Sequence, residues 1–180
     1  MLLISRRAGF RLVELLLTPT MLRVGPEHYQ CIADDAGIDI ASVHARLHYR
    51  DVGLDEKIES DRRSIRFAAH IGACECLVLH TPMSRSGDLS DVRLWLDALC
   101  AERDRARPSL RLAMENRADN HDGTTQQQLD SLERLRVVAS EWGAHVTLDI
   151  AHAASFGVDP VVAIDTVAPR LVNVHLSDAR

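Results

Sequence analysis

Six times along the chain a Gly or Pro starts a short apolar run, and five of those runs end on a residue able to bind a metal or move a proton. Gly37 leads to His44, Gly72 to His80, Pro108 to Glu115, Gly143 to Asp149 and Pro169 to His175, over 7, 8, 7, 6 and 6 residues. Each distance is the length of one β-strand. The breakers at 9, 37, 72, 108, 143 and 169 leave room between them for one strand, one helix and two loops. In a parallel sheet every strand C-terminus opens on the same face, so these polar residues are expected to converge.

The segments between the runs read as helices. Ser90 to Ala106 carries Val92, Trp95, Leu96 and Leu99 at helical spacing, and Thr124 to Trp142 repeats the pattern through Leu129, Leu132, Leu135 and Val138. Glu56 to Ile71 is a weaker example. Pro26 to Ala36 stops at Gly37, a good C-cap, and Asp159-Pro160 is an N-cap with proline at the first helical position, opening a helix to Val167.

Strands are expected at Arg11 to Leu17, Ile38 to His44, Cys76 to His80, Leu110 to Glu115, His145 to Asp149 and Leu171 to His175. Runs such as Cys76 to Leu79 are apolar on both faces, as a parallel sheet covered by helices requires. The fold class is therefore α/β, of (β/α) TIM-barrel type. An open doubly wound sheet fits less well: no Gly-rich phosphate loop follows any strand, and such a sheet gathers its site at one switch point. A closed barrel needs eight strands and roughly 250 residues. The six parallel strands within 180 residues predict one incomplete domain over residues 1–180, lacking the first and last strands. The open edges then predict a homo-oligomer or further chain segments.

Composition narrows the function classes. A formal net charge of −5, with Lys and Arg scattered and aromatics at 4%, argues against a nucleic-acid binder. No apolar run approaches a membrane span. Leu2-Leu3-Ile4 is too short for a signal core and leads into Arg6-Arg7, so the expected location is cytoplasmic. The four cysteines show no framework spacing, and Cys74-Glu75-Cys76 is C-x-C rather than C-x-x-C, so buried reduced thiols are expected.

Glu115, Asp149 and His175 form a carboxylate, carboxylate, imidazole set that suits a divalent ion such as Mn, Co, Mg or Zn. His152, three residues past Asp149 in what reads as a loop, is free to serve a second ion or contact substrate. Asn116 is placed to orient the carboxylate of Glu115. Asp178 and Arg180 follow His175 and are candidates for polar substrate groups. His145, at the start of its strand, reads as structural, and His28, His70 and His121 read as surface or packing residues. His44 and His48 lack the Glu of a helical zincin motif. Glu14 falls mid-strand with its facing left open.

Three short stretches, Ala113-Met114-Glu115-Asn116, Leu148-Asp149-Ile150-Ala151-His152-Ala153 and Val174-His175-Leu176-Ser177-Asp178, together resemble the xylose isomerase-like TIM-barrel superfamily. That superfamily includes sugar phosphate isomerases/epimerases and class-IV apurinic endonucleases. The resemblance to the first branch implies Glu115, Asp149 and His175 as metal ligands, Glu115 also as acid/base, and His152 as a contact for a substrate hydroxyl or carbonyl. It implies isomerisation or epimerisation of a small sugar or sugar phosphate by an enediolate-type proton transfer. The family's fourth ligand, a Glu on the eighth strand, has no counterpart here, so inactivity of this piece alone is part of the expectation. The endonuclease branch implies instead that His44, His80 and Glu115 hold one zinc, with His152 at another. A non-catalytic truncated barrel is the third alternative.

Overall fold

The computed structural model describes residues 2–47, 52–82, 89–117 and 125–176, with the side chains of 2, 3 and 125–129 excepted. Two compact units are present, one of Met1–Val78 with Ser84–Arg111, the other of Leu79–Met83 with Leu112–Arg180.

The first unit runs α1 (Leu2–Arg7), β1 (Leu12–Leu16), α2 (Pro19–Val24), α3 (Pro26–Ala36), β2 (Asp39–His44), α4 (Leu54–His70), the start of β3 (Cys76–His80) and α5 (Ser90–Ala106). β1 pairs with β2 and β2 with β3, both parallel. Gly37 ends α3 in the left-handed region at φ 62°, where Ile38 N–H reaches back to Ala33 C=O at 3.0 Å, and β2 starts two residues later. A side chain at this φ is strained, hence the glycine. Leu77, Val78 and Leu79 are fully buried, as expected of a strand covered on both faces. β1 is only half covered, with Leu12 and Leu16 exposed.

Between α4 and α5 lies a buried polar cluster. Lys57 Nζ pairs with Asp61 Oδ2 one helical turn on, and Trp95 Nε1–H donates to that same oxygen at 2.7 Å. The Lys57 ammonium also lies 5.4 Å from the centroid of the Trp95 ring.

The second unit holds the end of β3, β4 (Arg111–Glu115), α6 (Thr125–Glu141), β5 (His145–Asp149), α7 (Ile150–Ala154), α8 (Pro160–Val167), a 3-10 turn (Ala168–Arg170) and β6 (Leu171–His175). β4 pairs with β5 and β5 with β6, again parallel. Gly143 repeats the device of Gly37, at φ 61°, between α6 and β5. Asp159 caps α8 as predicted, its Oδ1 accepting from Val161 N–H at 2.8 Å. On β6 and just past it, Val174 and Leu176 are exposed.

All six predicted strands form within a residue of their expected bounds. Helices α2 and α7 were not anticipated. α2 has six residues and α7 five, too short for a hydrophobic period to show. The expectation for cysteine also needs correction: Cys74 and Cys76 are buried, but Cys31 is exposed and Cys100 only half-buried. Among the described residues no helix is long and apolar enough to cross a membrane.

Candidate metal centre

Strand register decides which side chains meet. Glu115 lies opposite Thr147, and Asp149 lies opposite His175. Side chains alternate along a strand, so Thr147 and Asp149 share a face, and Glu115 and His175 share it with them. Glu115 thus starts two residues lower than Asp149 and reaches upward with one more methylene.

The carboxylate of Glu115, only 3% exposed, sits between two imidazoles. His175 Nδ1–H donates to its Oε1 at 3.0 Å, and His80 Nε2–H donates to its Oε2 at 2.8 Å. His80 ends β3 inside this same unit. Asp149 caps α7, where its Oδ1 accepts the His152 N–H at 2.8 Å. Its other oxygen, Oδ2, is 3.7 Å from His152 Nδ1. The His152 ring donates through Nδ1 to the Asn116 carbonyl at 2.8 Å, which leaves Nε2 as the acceptor of the neutral ring. His152 is therefore not on a loop: it sits in the first turn of a helix that Asp149 itself starts.

Glu115, Asp149 and His175 each offer one donor atom, all within 4.8 Å of one another. Divalent metals hold oxygen and nitrogen ligands at roughly 2.0–2.2 Å, so donors sharing one ion lie about 3–4.4 Å apart. The three groups fit such an ion with small side-chain adjustments. Two carboxylates and an imidazole also match a cation of intermediate hardness.

Five predicted residues are thus brought together in the second unit: Glu115, Asp149, His175, His80 and His152. His44 ends β2 in the first unit, buried, with Nδ1–H donating to the Ala45 carbonyl at 2.7 Å. Arg180, Asp178, His48 and His121 lie outside the described residues. Asn116 does not orient the Glu115 carboxylate as expected; its side chain bonds to the backbone of Asp149. Asn173 was missed. Its Nδ2 lies 3.4 Å from His175 Nε2, and its position two residues before His175, on the same face, was the available signal. Burial pushes the thiols of Cys74 and Cys76 up to about 11 and about 12, which keeps them protonated and inert.

A family model described as the xylose isomerase-like TIM barrel matches residues 2–180. The chain belongs to that family. No curated protein matches the sequence. Among solved structures, this xylose isomerase-like chain is similar to a xylose isomerase domain protein from Planctomyces limnophilus, at 16% identity and TM-score 0.73 over 96% of this chain and 65% of that one. It is similar to a sugar phosphate isomerase/epimerase from Parabacteroides distasonis, at 16% identity and TM-score 0.71 over 98% of this chain and 68% of that one. A probable 3-DHS dehydratase from Bacillus anthracis shares 15% identity at TM-score 0.67, over 99% of this chain and 68% of that one. The chain thus spans about two thirds of the length of these structures. At such identities the likeness establishes an incomplete TIM-barrel fold, and the fold by itself carries more than one chemistry.

Proposed function

We propose that this protein acts, when complete, as a metal-dependent isomerase or epimerase of a sugar or sugar phosphate. The observation that carries the reading is the convergence of Glu115, Asp149 and His175 donors within 4.8 Å, with His152 beside them. Glu115, Asp149 and His175 would hold a divalent ion. Bound there, such an ion would polarise a substrate carbonyl and make the neighbouring C–H more acidic. Glu115 would double as the carboxylate that takes or returns the proton. His152, partly open to solvent and with Nδ1 committed to Asn116, presents Nε2 to a substrate hydroxyl. His80 holds the second oxygen of Glu115 and so fixes which way that carboxylate faces. His44 and Arg180 are assigned to substrate or to a second ion. Residues 1–180 act as one partial barrel domain, with exposed β1 and β6 side chains covered by a second copy or by further chain segments.

The test is solvent exchange of the α proton. Purified protein is stripped of metal, reloaded with Mn and incubated in deuterated buffer with a panel of ketoses and ketose phosphates. Deuterium incorporation that disappears with chelator is the expected result. No incorporation on any sugar, or chelator-sensitive incision of an abasic DNA duplex, contradicts the proposal.

A further inference from the structure

The ladder between β4 and β5 ends at the Glu115–Thr147 pair, two residues short of Asp149. Asn116 continues the connection by a different means. Its Oδ1 accepts the Asp149 backbone N–H at 2.6 Å, and its Nδ2–H donates to the Asp149 carbonyl at 3.1 Å. The side-chain amide thus substitutes for the peptide group that a longer β4 would have supplied. Its orientation is fixed by its partners, since a flipped amide would set donor against donor and acceptor against acceptor. The backbone carbonyl of Asn116 also accepts from His152 Nδ1 at 2.8 Å. Asn116 is 6% exposed, so water is a poor replacement for these bonds.

Glu115 and Asp149 are otherwise set two residues out of level on adjacent strands, and β6 supports Asp149 from its other side only. We infer that Asn116 is a positioning residue that sets the spacing of the Glu115 and Asp149 carboxylates, and through it the affinity of the centre for a divalent cation. This rests on the metal reading proposed above. It goes beyond that reading by assigning the control of affinity to a residue that contacts no ion. The Asn116 carbonyl serves a second purpose: by accepting from Nδ1 it fixes the His152 tautomer.

Mn binding by the metal-free protein, followed by titration calorimetry, is compared for the wild type, Asn116→Ala and Leu132→Ala. Leu132 is a buried residue of α6 and serves as a control for simple destabilisation. Asn116→Ala is expected to weaken Mn binding about 10–100-fold, with Leu132→Ala close to wild type. Equal affinity in Asn116→Ala and wild type, or equal losses in both variants, overturns the inference. A wild type that binds no Mn overturns the metal reading itself and the inference with it; the wild type alone records that failure. Hydrogen exchange at the Asp149 amide gives a readout that needs neither metal nor a folded variant. Slow exchange in the metal-free wild type is expected, and exchange at the rate of an open loop contradicts the tether.

Discussion

Two of the buried carboxylates, Asp61 and Glu115, sit among partners of opposite consequence. Between α4 and α5, Asp61 has no solvent exposure and shares one oxygen between the Lys57 ammonium and the Trp95 indole. At the ends of β3–β6 in the second unit, Glu115 is nearly as buried, but its partners are the imidazoles of His80 and His175. A lysine ammonium supplies no electron pair to a metal, so the Asp61 cluster joins two helices and offers no ion site. Imidazoles can release the carboxylate and turn a lone pair toward a cation. On the proposed reading, the partner, more than the burial, distinguishes a structural carboxylate from a metal-binding one.

Substitutions can break this contrast. The largest effect is expected from Asp61→Ala, which strands the Lys57 charge in the interior. A loss of about 3–5 kcal/mol in urea unfolding is predicted, with Mn affinity unchanged in whatever remains folded. Glu115→Gln should behave in the opposite sense. Its Mn affinity and α-proton exchange should fall about 100-fold or more. The metal-free protein should lose about 1–3 kcal/mol, less than Asp61→Ala, because the Gln amide nitrogen faces one of the two imidazole donors. A large stability loss from Glu115→Gln would erase the distinction between the two sites.

A smaller effect concerns pH. Burial raises the Cys74 and Cys76 thiols from 9.0 to about 11 and about 12. These acids titrate later in the folded chain than in the unfolded one. Their contribution to stability is therefore complete below pH 9 and declines as pH rises toward 12, by at most about 1.4 kcal/mol per pH unit for each thiol. Unfolding midpoints measured from pH 8 to 11 should show this decline, and Cys76→Ala should make it shallower. The smallest effect is predicted for Glu59→Ala. Glu59 is paired with Arg63 and Arg66 on an exposed face of α4, and its loss should cost within about 0.5–1 kcal/mol.

Strands were legible because breakers bound them and because both-face burial requires unbroken apolar runs. The acid or imidazole that ends five of the six strands was legible for the same reason. Other features depend on facts that a linear pattern does not carry. The facing of Glu14 was undecidable because a register shift falls between Val13 and Glu14; in the fold Glu14 accepts from Ser42 Oγ at 2.7 Å. Asp149-Ile150-Ala151-His152 read as a strand end and a loop, whereas the aspartate doubles as the cap of a five-residue helix. Asn116 was noticed for its neighbour in sequence, but its partner lies 33 residues away on the next strand.

Diffraction from crystals grown with Mn tests the central claim most directly. An anomalous peak bonded to Glu115, Asp149 and His175 together, at roughly 2.0–2.3 Å, is the predicted result. A Mn-saturated crystal with no peak there, or with the ion held by other residues, would contradict it.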